Sequence, residues 1–138
     1  MIILDTNVVS EFMTSSPDKR VLAWVNSQLA SHLYLTVISV AEIQFGLMAM
    51  PKGKRQVFLS DNFDVFLKQG FTGRILDFDI NAAKHYGLLM GKRRLAGTPM
   101  SALDGQIASI AKNHDFSIAT RNVKDFVDCN LDIINPFN

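Results

Sequence analysis

"MIILDTN" (residues 1–7) opens the chain with four apolar residues and then an acid. Ile2, Ile3 and Leu4 are strand formers without polar alternation, the pattern of a strand covered on both faces in a parallel sheet. In open α/β sheets, ligands bind in the crevice beyond the carboxyl ends of the strands, which is where Asp5 would stand. An Asp after a strand also caps the next helix or shapes a turn. This stretch alone leaves both roles open.

Outward from it, strands and helices alternate. Ser16-Pro17 begins a helix over "DKRVLAWVNSQLA", with Val21, Trp24, Val25 and Leu29 as its apolar stripe. "HLYLTVI" (32–38) predicts a second strand, and Ser39 a cap for a helix over 40–50 that Pro51 stops. A longer helix through the fifties and sixties turns Val57, Phe58, Phe63, Phe66 and Leu67 inward. "RILDFD" (74–79) reads as a third strand, after which Asp79 caps a helix through about Leu95 and Gly97-Thr98-Pro99 marks a turn. "SALDGQIASIAKNHD" (101–115) is a helix with Leu103, Ile107, Ile110 and Ala111 on one face. "FSIAT" (116–120) is a strand, "RNVKDF" (121–126) a turn or short helix, and "LDII" (131–134) a closing strand. The expected fold is α/β, one domain over 1–138, with a central parallel sheet of about five strands and helices on both faces.

Bulk properties narrow the class. A chain of 138 residues suits one core, and 48% hydrophobic with 20% charged residues is ordinary for a globular protein. A net charge of +1 gives no global case for nucleic acid, so such binding must come from local patches. Cys129 is the only cysteine, which excludes an internal disulfide and a Cys-rich zinc site and suits a reducing compartment. The short apolar start ending in an acid is not a signal peptide. The longest uncharged run, 21–41, is broken by Asn26, Ser27, Gln28 and Ser31 and is no membrane span. A cytoplasmic protein is expected.

Two further acids share the ambiguity of Asp5. Ser39-x-x-Glu42 and Ser101-x-x-Asp104 both match a capping box. Yet the helix after Ser39 ("VAEIQFGLMAM") is apolar on nearly every face, which predicts burial on both sides. A carboxylate there needs a partner, and a cation would serve better than a cap. Near Asp104, Ala108 and Ala111 are small neighbours that would leave room for a ligand at that helix end. Asp5, Glu42 and Asp104 thus fall at strand ends or helix starts on the ligand side of the sheet. Together and without a cation they would repel, and one would stay protonated. A hard divalent ion resolves this, and the chemistry it supports is phosphodiester hydrolysis.

The stretches "ILDTNVVSE" (3–11), "SVAEIQFG" (39–46), "LDGQIASIA" (103–111) and "ATRNVKDF" (119–126) give the chain its resemblance to PIN-domain ribonucleases, specifically VapC-type toxins of the FitB-like branch. The resemblance spans essentially the whole chain. It implies an endoribonuclease dependent on Mg²⁺, with Mn²⁺ able to substitute, that acts as the toxin of a toxin–antitoxin pair. Transfer RNA is the first substrate it suggests and ribosomal RNA loops the second. It further implies a VapB-type antitoxin, a homodimer, and contact with DNA only through the antitoxin. By position, Asp5 and Asp104 would bind the metal, and Glu42 would complete the cluster by holding metal or orienting the attacking water. Thr6, Asn7, Thr120 and Asn122 would support them. Many members place a fourth acid just after "TR", where this chain has Asn122. One well-held ion is then expected in the free protein, with Asp125 as a substitute ligand if the turn is helical.

Of the basic residues, Arg121 beside the acids is the best placed for an RNA backbone. Lys92 and Arg93, in Lys92-Arg93-Arg94, would grip phosphates or simply favour a helix C-terminus. Lys52, Lys54 and Arg55 form a second cluster with the same two readings. His32, His85 and His114 have no metal-ligand spacing. A haloacid-dehalogenase-like phosphatase would need a second Asp two positions after Asp5, where Asn7 stands. A PIN-like domain that only binds RNA or a partner would tolerate loss of the acids, and all three are present.

Overall fold

The computed structural model describes all residues, Met1–Asn138. Its centre is a five-stranded sheet in the order β3-β2-β1-β4-β5, where β1 is Ile2–Leu4, β2 Leu33–Thr36, β3 Ile75–Leu76, β4 Ser117–Ala119 and β5 Ile133–Ile134. Every pairing is parallel, with Ile3 opposite Tyr34 on one side and Ile118 on the other. The helices are α1 Thr6–Glu11, α2 Lys19–Ser27, α3 Val37–Ala49, α4 Lys54–Gly70, α5 Ile80–Leu95 and α6 Ala102–His114.

The unbroken apolar run of β1 follows from its central place. Successive strand side chains point to opposite faces, and here each face has its own core. Leu4 packs with Val8, Val9, Val21 and Phe63 from α1, α2 and α4, while Ile3 packs with Ile107, Ile110 and Ala111 of α6. Ala119 and Ile118 of β4 divide in the same way. Full burial of one such aliphatic side chain contributes about 2 kcal/mol, so neither face of β1 tolerates a polar residue before Asp5.

The structure corrects several sequence expectations. Strand β2 stops at Thr36 and α3 begins at Val37, so Ser39 lies inside the helix. The cap is Thr36, whose hydroxyl accepts the Ser39 N–H at 3.2 Å. Val37 and Ile38 are β-branched and extend the apparent strand, but the Thr36 cap turns the chain before them. At α2 the cap is Asp18, one residue past Pro17. Helix α1, six residues long, is too short for periodicity to reveal. Burial of α3 on both sides is also overturned, because Phe45 and Met48 are 76% and 73% exposed. Val57 and Phe58 of α4 face outward as well, while Phe63 is fully buried. Ala108 and Ala111 are closed in by packing, so their size serves the close seating of α6 and not space for a ligand. No helix is long and apolar enough to cross a membrane.

Candidate active site: an acidic crevice between β1 and β4

From β1 the chain proceeds through β2 and β3 in one direction, then returns to add β4 and β5 on the other side. The crevice at such a reversal, beyond the carboxyl ends of the strands, is the ligand position of open α/β sheets. Asp5 ends β1 there, and its backbone N–H donates to Ala119 O across the crevice floor at 2.9 Å.

Asp5 is both a cap and a buried carboxylate of the crevice. It caps α1, with Oδ1 accepting the Thr6 N–H at 2.8 Å, and it is the buried carboxylate of the crevice, 4% exposed. Oδ2 accepts the Thr120 hydroxyl at 2.7 Å and the Asn7 amide at 3.2 Å. Thr120 Oγ1 in turn accepts from Asn7 Nδ2 and from the Asn122 N–H, so its single proton goes to Asp5. Asn7 Oδ1 accepts the Arg121 N–H at 3.1 Å, which fixes which way the amide points. Thr6, Asn7 and Thr120 thus all hydrogen-bond to the acids of the crevice. Asn122 contributes through its backbone.

Glu42 is tied to the same framework from α3. The Thr6 hydroxyl donates to Glu42 Oε1 at 2.8 Å and lies 2.8 Å from Ser39 Oγ. Because the Thr6 proton is committed to Glu42, Ser39 is the donor to Thr6. Glu42 is thus no partner of a capping box, and the relay Ser39–Thr6–Glu42 is what its spacing from Ser39 concealed. Asp104 stands in the first turn of α6, where Ser101 is a true cap, its hydroxyl accepting the Asp104 N–H at 3.2 Å. The next residue, Gly105, lies against Met90 and Tyr86, where an added Cβ would meet the Met90 sulfur at 2.5 Å.

Electrostatics link these acids in a row. Burial raises the Asp5 pKa above its ordinary 3.8 despite three donors, and the charges of Asp104 and Glu42 raise it further. Burial raises Asp104 above 3.8 too, opposed by the Ser101 hydroxyl and assisted by the charge of Asp125. Asp125 reaches this position because residues Val123–Phe126 form a 3₁₀ turn, the helical condition under which it was expected to approach the site. No lysine or arginine pairs with any of these carboxylates, and the one ion pair of the chain, Arg20–Asp18, lies on the separate helix α2.

The donor set fits a hard divalent cation. Asp5 retains an unused lone pair, Glu42 Oε2 has no protein partner, and the charge is uncompensated. No three acidic, histidine or cysteine side chains close around one point, which suits an ion that keeps several waters and is held by one or two carboxylates. The Arg93 guanidinium is held by two backbone carbonyls, donating to Thr98 O at 2.7 Å and to Val127 O. Lys92 remains exposed beside a cleft of about 250 Å³ between α5 and α6. Lys52 and Lys54 line a separate groove along α3 and α4.

The PIN domain family model matches residues 2–128. The chain belongs to the PIN-domain family. It is 43% identical over 137 residues to the VapC ribonuclease Y4jK of Sinorhizobium fredii, covering 99% of this chain and 98% of that protein. It is 36% identical over 138 residues to Toxin FitB of Neisseria gonorrhoeae, covering 100% of this chain and 99% of that one. The structure of FitAcB from the same organism superposes with a TM-score of 0.94 at 36% identity, covering 100% of this chain and 99% of that one. A VapBC2 complex of Rickettsia felis bound to promoter DNA gives 0.81 at 26% identity, with 98% of each chain covered. This PIN domain therefore has the five-stranded parallel architecture expected of it, and its close relatives are a ribonuclease and a toxin.

Proposed function

We propose that this PIN domain is a divalent-metal-dependent endoribonuclease acting as the toxin of a VapBC-type pair. The observation that carries the reading is the row of carboxylates Glu42, Asp5, Asp104 and Asp125 in the crevice, without a basic partner and with burial raising the pKa of Asp5 and Asp104. Its support among relatives is the ribonuclease and toxin named above.

Asp5 and Asp104 would hold the ion, Mg²⁺ or Mn²⁺. When bound, it lowers the pKa of a coordinated water and offsets charge on the phosphate. Thr120, Asn7 and the Thr6 N–H fix the Asp5 carboxylate on three sides and leave its remaining lone pair to the crevice. Glu42, anchored through Oε1 by Thr6, offers Oε2 to orient the attacking water and take its proton. Asp125 supplies, next to Asp104, the fourth negative charge that Asn122 does not. Arg121 meets the RNA backbone, and transfer RNA is the substrate class we place first.

The partner is a VapB-type antitoxin. Met48, Val57 and Phe58 border an open groove of about 1020 Å³ between α3 and α4 that begins two residues past Glu42. An amphipathic antitoxin helix would fill it and extend a basic side chain toward the acids. Assembly as a homodimer, with DNA contacted only through the antitoxin, completes the proposal.

Mapping RNA 5′ ends after brief induction of the wild type and of Asp104→Ala tests the activity. New ends in the wild type alone are expected, concentrated in transfer RNA. Identical end profiles for the two proteins would refute the nuclease reading, and ends confined to ribosomal RNA would move the substrate.

A further inference from the structure

Arg121 is an exposed arginine beside the acidic crevice, yet it pairs with none of the carboxylates. Its backbone is pinned into the site, since its N–H donates to Asn7, which donates to Asp5. Its side chain is accounted for from the other end of the chain. The guanidinium carbon lies over the Phe137 ring, 3.9 Å from the centroid.

Phe137 is well placed to hold it. The ring is 5% exposed and belongs to the core cluster that contains Leu4, Val8 and Val9, the residues flanking Asp5 and its turn. Strand β5 pairs with β4, and the Thr120 N–H donates to Ile134 O at 2.8 Å, so the tail is delivered alongside Thr120 and Arg121. The Phe137 N–H then donates to Asn135 Oδ1 at 2.9 Å and closes the tail in a turn. A guanidinium stacked on one face of a ring keeps its N–H donors in its own plane, free for bidentate binding of a phosphate. The stack also offsets the attraction of the neighbouring acids, which would otherwise draw the cation into the crevice where the metal belongs.

We infer that Phe137 is a positioning residue that holds Arg121 off the acidic cluster and presents its guanidinium edge to a backbone phosphate of the RNA strand. The inference rests on the nuclease reading for its ligand. It adds a contribution from the C-terminal tail to substrate binding.

The test is fluorescence anisotropy of a labelled single-stranded RNA oligonucleotide with chelator present to stop cleavage, followed across a salt series. Phe137→Leu should weaken binding roughly three- to tenfold, the size of a lost cation–π contact, and leave the salt slope unchanged because the charge remains. Phe137→Tyr, which keeps the ring face, should bind as wild type. Arg121→Ala should weaken binding more and reduce the salt slope by about one. On the Arg121→Ala background, Phe137→Leu should have no further effect. In cleavage assays with metal, Phe137→Leu should raise KM and leave kcat within about twofold. Should Phe137→Leu fail to fold, Arg121→Lys, which keeps the charge and loses the planar stack, should show the same loss. Additive losses in the double variant, or wild-type affinity in Phe137→Leu or Arg121→Lys, would overturn the inference. Absence of RNA binding by the wild type would instead remove the nuclease reading beneath it.

Discussion

Two stretches of this chain carry the same pattern, Ser39-x-x-Glu42 and Ser101-x-x-Asp104, and the fold uses them differently. At α6 the pattern means what it says: Ser101 caps the helix and Asp104 sits in its first turn. At α3 the cap is three residues earlier, at Thr36, and Ser39 is buried inside the helix as a donor to Thr6. One acid is therefore placed by its own helix start, and the other by a hydroxyl relay from α1. A local motif reports the helix end only where no earlier residue has already capped the helix, as Thr36 does at α3.

The largest effects should come from Asp104, which the second pattern delivers, and from Asp5 at the end of β1. Asp5→Ala and Asp104→Ala should each reduce RNA cleavage at least roughly a hundredfold, since even outer partners of metal ligands are worth ten- to a hundredfold. Circular dichroism should show both variants folded. Wild-type cleavage by a folded Asp104→Ala would remove α6 from the site.

Next come the hydroxyls, which separate the two stretches directly. Thr36→Ala and Ser101→Ala should each cost about 1 kcal/mol in urea unfolding, the usual worth of a helix cap. Ser39→Ala should cost less stability but lower kcat several-fold by loosening Thr6 and Glu42. If Ser39→Ala matched Ser101→Ala in stability and kept full activity, Ser39 would be a cap after all.

A smaller effect concerns pH. Asp5 and Asp104 are held above their ordinary pKa of 3.8 in the folded state. The folded protein then binds their protons more tightly than the unfolded chain. In chelator, their contribution to stability should fall as pH rises from about 4 through the raised values. Thermal melts should show Asp104→Asn more stable than wild type at neutral pH without metal, and Mn²⁺ stabilising only the wild type. An Asp104→Asn variant that melts below wild type in chelator would contradict the repulsion among these acids.

Much of this was legible in the sequence. The unbroken apolar run at 2–4 marked a strand covered on both faces, "FSIAT" (116–120) read as a strand, and the cap at Asp79 set the start of α5 correctly. Asp5 was legible because charge at the end of an apolar strand is conspicuous. What was hidden arises from contacts between distant segments. The Thr6–Glu42 bond joins residues that the sequence gives no reason to pair. Phe137 carries no local signal, since only strand pairing brings it beneath Arg121. The open face of α3 was missed because an apolar helix reads as buried whether a neighbour or a separate partner covers it. Asn122 was read by its side chain, but its backbone N–H is what holds Thr120.

The central claim is that Asp5 and Asp104 hold a divalent ion in the crevice of the free protein. It is tested most directly by titrating Mn²⁺ into the metal-free protein and following the bound ion by electron paramagnetic resonance. The account predicts one well-held ion in the wild type, its loss in Asp5→Ala and Asp104→Ala, and nearly unchanged binding in Asn122→Ala. Equal binding by the wild type and the two aspartate variants, or no binding by any of them, would contradict it.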